Sequence, residues 1–242
     1  MKLPVLFLPL AIALAGCSHA KVETQSLYQG AALPRPAVVY VRDFVVTPGD
    51  VALDSGRIAR LRRMISGADT GQQQQAAAQG VVDALSDSLV EDIAKMGLTA
   101  RRISPDTVIP SDENAALIDG NITSIDEGNR AKRVVIGFGA GASQVDTRVA
   151  LTYLGNAAVE QRLAEFQASG NSGSAPGMAA TAGAGAAVGA ASTATTLAVS
   201  GGTQTIRETQ SGSASHDADD IGNKIADSLR TIFTQQGWIT AK

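Results

Sequence analysis

One cysteine and two histidines are all that this 242-residue sequence offers of the side chains that most often bind zinc or pair as nucleophile and base. A single cysteine excludes an intramolecular disulfide. With only His19 and His216 to join it, a structural Cys/His zinc site is excluded as well. No apolar run approaches the ~20 residues that a helix needs to cross a bilayer. The run LPVLFLPLAIALA, from Leu3 to Ala15, has 13. Charge is absent from Phe166 to Ile206, a stretch of 41 residues. No basic block is long enough to suggest nucleic acid, because the 14 arginines are interspersed with acids. Gly-x-Ser-x-Gly and Gly-Lys-Ser/Thr are both missing, so neither a hydrolase elbow nor a phosphate loop is written here.

What is present starts at the amino terminus. Met1-Lys2 is a positive start, and Leu3–Ala15 has the length of a signal h-region. Leu14-Ala15-Gly16-Cys17 closes it and resembles the lipobox of bacterial lipoprotein precursors. That resemblance implies cleavage before Cys17, a diacylglyceryl thioether on its sulfur and an acyl chain on the new α-amine. A thiolate is the nucleophile such a transfer requires, and two or more chains hold far better than one. Ser18 stands where, in the best-known Gram-negative sorting rule, an aspartate would retain the protein in the inner membrane, so the resemblance points to the outer membrane, facing the periplasm. The chain left after Gly16 carries 19 basic and 23 acidic residues.

Residues 17–36 read as a lipidated tether, polar and without sustained period, reaching several tens of ångströms if extended. Residues 37–242 read as a single α+β domain. AVVYVRDFVV, Ala37–Val46, is a strand covered on both faces and interrupted at Arg42 and Asp43; Thr47–Asp50 ends it. Asp54–Gly67 is a short helix with Ile58, Leu61 and Ile65 on one side and Arg57, Arg60, Arg62 and Arg63 on much of the rest. Its arginines read either as a solvated face or as a contact for anionic lipid or an acidic partner. The main helix carries Ala78, Val82, Leu85, Leu89, Ile93 and Met96 as one buried stripe, with Gly97 as a left-handed stop. A second helix, from about Ala218 to Gln236, repeats the layout with Ile221, Ile225, Leu229, Ile232 and Phe233, then Gly237 and Trp238. Strands are expected at Ala115–Ile125, from Arg133, and at Val145–Tyr153, where alternation is clean; Glu160–Phe166 alternates poorly. The expected sheet is mixed or largely antiparallel, with two main packed helices.

Gly137-Phe138-Gly139-Ala140-Gly141 precedes a strand pattern rather than a helix, so it reads as a face-clearing or turn segment and not as a nucleotide loop. Residues 167–206 read as a Gly/Ala/Ser/Thr excursion, open to a soft helical or looped form, a self-association surface or membrane insertion. Asp43 and Asp119 are the acids most embedded in apolar sequence, with Arg42 and Arg148 as candidate partners. They do not complete a catalytic constellation. The expectation is therefore a non-enzyme with no cofactor and no metal, whose one site residue is Cys17.

The lipobox, VYVRDF, the helix ending MGL, ALIDGNITSIDEGNRAKRVVIGFGAGAS, the charge-free excursion and the closing QGW together resemble a family of bacterial lipoproteins known as a domain of unknown function, numbered 4410. The resemblance spans Pro36–Ile239 and is most specific over Gly120–Ser143 and Asp217–Trp238. More distantly, the layout resembles the periplasmic domain of the curli-secretion channel lipoprotein and the amino-terminal domain of the Tol system. No functional residue is carried over from the family, and the expectation is a lipid-anchored cell-envelope protein acting as a structural or protein-interaction module in the periplasm. The alternative is a subunit of an oligomeric outer-membrane pore or secretion complex. Partners are then the membrane, through lipid on Cys17, and an envelope protein or further copies of this chain.

Overall fold

A computed structural model describes residues 20–67, 69–136, 139–155, 159–173 and 214–240. Cys17, the residues before it and most of the expected excursion lie outside these. In chain order the elements are β1 (Lys21–Leu27), β2 (Val38–Arg42), β3 (Val45–Val46), β4 (Val51–Ala52), α1 (Arg57–Ser66), α2 (Thr70–Lys95), β5 (Ala100–Ile103), β6 (Ala115–Asp126), α3 (Arg130–Val135), β7 (Gln144–Gly155), β8 (Val159–Asn171) and α4 (Ala214–Gln235).

The sheet runs β1-β8-β7-β6-β2-β5, with β3 and β4 continuing the line of β2 along β6. From β6 to β1 every pair is antiparallel, while β2 is parallel to both β5 and β6. This is the mixed, largely antiparallel α+β sheet that the patterning predicts. The opening strand is broken where Arg42 and Asp43 interrupt its apolar run, and β3 and β4 are the two fragments that follow.

Helices α2 and α4 pack together over one face. Their buried residues include Ala78, Val82, Leu85, Leu89 and Ile93 of the predicted α2 stripe, whose last member, Met96, is only partly buried, and Ile221, Ile225, Leu229, Ile232 and Phe233 on α4. Each valine, leucine, isoleucine or phenylalanine side chain taken fully out of water contributes about 1.5–3 kcal/mol. Asp69 caps α2 by accepting from the Gly71 amide at 2.8 Å. The two helices end at Gly97 and Gly237, whose φ values of 86° and 72° place them in the left-handed region the stop requires. Trp238 then folds back, 2% exposed, with its ring 5.3 Å from Phe233 and 6.0 Å from Tyr153. It is a packing anchor.

Three segments differ from expectation. Residues 20–36 do not behave as free tether. Lys21–Leu27 pairs antiparallel with β8, Leu33 accepts a hydrogen bond from Trp238 Nε1 at 2.9 Å, and its amide donates to Gln236 Oε1 at 2.8 Å. Val22 is the one apolar residue of β1 packed on the core, so no hydrophobic period betrays it. Its Lys21 and Glu23 are typical of an exposed edge. The strand expected from Arg133 is instead α3, because the Asn129 side chain accepts from the Lys132 amide at 3.0 Å and starts a helical turn. Finally, the strand expected at Glu160–Phe166 runs on through Asn171, so residues 167–171 belong to the sheet and not to the excursion. Its poor alternation reflects a register shift opposite Leu151/Thr152, which lets Leu163 and Ala164 both be buried. Gly139 and Gly141, with φ of 83° and 75°, form a turn. Among the described residues no helix is long and apolar enough to cross a membrane.

Candidate functional site

The face of the sheet away from α2 and α4 is polar because strand alternation sends every second residue there. β7 shows it plainly: Val145, Thr147, Val149 and Leu151 are buried, whereas Asp146 and Arg148 lie on the other side. A groove of about 760 Å³ opens on this face. Its charged lining consists of Arg42 on β2, Asp43 just beyond it, Asp119 on β6, Arg148 on β7, and Arg162 and Glu165 on β8.

Asp119 sits in the fields of two of these cations, Arg162 and Arg42. Arg42 Nη1 stands 4.0 Å from its Oδ2, and Arg42 Nη2 also donates to the Thr107 carbonyl at 3.2 Å. Burial pushes the Asp119 carboxyl above its ordinary range, and the positive fields of Arg162 and Arg42 pull it back only in part. Arg162 in turn donates to Glu165 at 3.2 Å. Beside the groove, Arg102 of β5 gathers Asp43 through Nε, Asp83 through Nη2 at 2.6 Å and Asp87 through Nη1 at 2.9 Å. The donated hydrogen bond holds Asp83 below the usual carboxylate range. This knot ties the end of β2 and all of β5 to α2, so one wall of the groove is fixed by charge-assisted bonds.

The two acids singled out by their apolar surroundings thus have different fates. Asp119 meets Arg42 and shares the groove with Arg148, as the candidate pairing has it, while Asp43 is taken by Arg102. Arg162 and Glu165 are the site residues that sequence reasoning missed. The shift in β8 hid their placement, and the signal that remained was a pair of opposite charges three apart in the strand. His216 is in the first turn of α4, 3.6 Å from Asp220, away from this face. Among the described residues the lining contains arginine, carboxylate and amide groups but no serine, cysteine, lysine or histidine. Such a surface binds by charge and hydrogen bonding. Among the described residues there is no group of three or more His, Cys, Asp or Glu placed to hold a metal ion.

The sequence model of one family, described as a domain of unknown function (DUF4410), matches residues 39–201. That stretch covers the sheet from β2 to β8 together with the charged groove, and runs into the charge-free segment. The match speaks to the family and not to the two more distant likenesses. No curated protein matches the chain.

Proposed function

The chain belongs to the DUF4410 family, and from that premise we propose that it is a lipid-anchored envelope protein acting through protein contacts on the open face of its sheet. Cleavage before Cys17 and acylation of its sulfur and amine would hold the body at the periplasmic side of the outer membrane. The observation that carries the interaction role is the groove: guanidinium and carboxylate groups of both signs, set on paired strands, with Arg148, Arg162 and Glu165 exposed and Arg42, Asp43 and Asp119 partly so, suit an extended polar segment of a partner protein. Fixed charge of this kind confers specificity more than affinity.

Two measurements test the reading. Mass spectrometry of the amino-terminal peptide from the membrane fraction is expected to show acylated Cys17 with residues 1–16 gone; unmodified Cys17 overturns the anchor. A photo-crosslinking residue at Gln167, on the groove, is expected to give a discrete protein adduct in cells that disappears with Arg162→Glu. An adduct indifferent to Arg162→Glu, or none at all, removes the groove from the function. Discrete high-order rings in detergent would replace the interaction module with the pore alternative.

A further inference from the structure

Helix α1 is built the wrong way round for a helix of a soluble domain. Between Gly56 and Gly67 it reads RIARLRRMIS, with no acidic residue. An amphipathic helix ordinarily turns its apolar stripe to the core. Here Ala59 and Arg63 face inward, Arg63 donating to the Asp54 carbonyl at 2.7 Å. Ile58, Leu61, Met64 and Ile65 stand in solvent at 68%, 53%, 74% and 78% exposure. Arg57 and Arg60 are exposed beside them and have no ion-pair partner among the described residues. α3, close by, repeats the theme: Arg130 and Lys132 are exposed, and Val135 and Ile136 are each 51% exposed.

Position adds the second observation. The Asp54 amide donates to Glu127 at 3.0 Å and the Ser55 amide to the Gly128 carbonyl at 3.0 Å, so α1 springs from the end of the sheet where β6 finishes. In register across that end lie Asp126 with Gln144, Gln144 with Asn171, and Lys21 opposite Ser169. The first residue of β1 is therefore at the same end as α1, three strand spacings or roughly 15 Å across the sheet. Cys17 precedes Lys21 by four residues, a reach of at most about 14 Å. The body cannot stand off from whatever holds that sulfur.

We propose that α1, with α3 beside it, is a membrane-contact surface that lies in the anionic headgroup layer of the bilayer holding the Cys17 anchor. The proposal rests on the reading of Cys17 as acylated. Basic residues flanking an outward apolar stripe match that layer in both charge and polarity. The charge-free residues 166–206 offer the arginines no anion, which argues against this chain's own excursion as the cover. The neighbouring acids are already engaged. Asp54 accepts from the Gly56 amide at 2.8 Å, Asp69 caps α2, and Glu127 takes the Asp54 amide.

The test uses the full chain, processed in its host and reconstituted into vesicles containing phosphatidylglycerol. In the acylated chain Met64→Cys supplies the sole free thiol for a nitroxide label, and Val108→Cys, 87% exposed and outside α1, supplies the control. The label at 64 is expected to collide with oxygen in preference to a water-soluble nickel chelate, and the label at 108 to do the reverse. Arg57→Glu with Arg60→Glu is expected to abolish the difference; Arg57→Lys with Arg60→Lys is expected to keep it. Equal water access at 64 and 108 in an acylated chain overturns the proposal and leaves the anchor standing. Spin–spin broadening at 64 assigns the face to a second copy and overturns it too. Unmodified Cys17 in the same preparation, read by mass, ends both readings.

Discussion

Arg102 and Asp119 stand on the two strands that flank β2, and the Asp83 carboxylate held by Arg102 depends on pH in the opposite way to the half-buried Asp119. Arg102 → Met leaves three aspartates without their shared cation. Because Asp87 is 68% and Asp83 47% exposed, water recovers much of the loss, and the expected cost is about 1–2 kcal/mol by urea unfolding at neutral pH. Asp83 titrates below its ordinary 3.8 in the native state, so its contribution is present above that value and is lost as pH falls through the lowered one. The gap between the wild type and Arg102→Met should therefore narrow in strong acid. Asp119 has the opposite sign. Its native carboxyl titrates above 3.8, so its deprotonation weakens the fold as pH rises from there through the raised value. Asp119→Asn is expected to flatten stability across the mildly acidic range, and denaturant midpoints at a series of pH values check it. Asp43 and Asp119 are visible in the sequence as charges inside apolar runs, and Arg42 as a partner for Asp119 with them. The partner of Asp43 is not, since Arg102 lies 59 residues away and is chosen by the parallel pairing of β2 with β5.

At the scale of elements, α2 and α4 cross where Gly222 meets Ser88. A Cβ on Gly222 would lie 2.7 Å from Ser88 Oγ and 2.9 Å from Ser88 Cβ. Helix propensity alone would make Gly222→Ala a gain of ~1 kcal/mol, but overpacking of this kind costs about 1–3 kcal/mol. The expected outcome is a lower melting temperature for Gly222→Ala, partly restored by adding Ser88→Gly, with calorimetry as the check. The helices themselves are legible, because their stripes follow one period over about five turns in α2 and three in α4 and end at glycine. β1 and α3 are not. β1 has one inward apolar residue and takes its partner from β8, over 130 residues later, while α3 is decided by a side-chain cap that outweighs the β-branched pair Val134-Val135. The groove was half legible for the same reason: alternation marks Arg148 and Asp119, but a bulge conceals Arg162.

At the scale of the whole molecule, the amino-terminal segment and the carboxy-terminal turn hold one another. Trp238 is buried against Phe233 and Tyr153 and donates to Leu33, and Gln236 accepts from the Leu33 amide. Trp238→Ala is expected to cost about 3–5 kcal/mol and to open residues 28–36 to protease. Trp238→Phe keeps most of the apolar contact and loses the bond to Leu33, so it should cost less while still loosening that segment; limited proteolysis with mass readout separates the two.

The Leu33–Trp238 bond links residues 205 apart, and the Gln236–Leu33 bond residues 203 apart. Contacts so remote demand that a very large loop be closed before they give anything back, which slows their formation. In a nascent polypeptide the clasp on Leu33 therefore waits for Gln236 and Trp238, whereas the β1 segment meets its β8 partner earlier in synthesis.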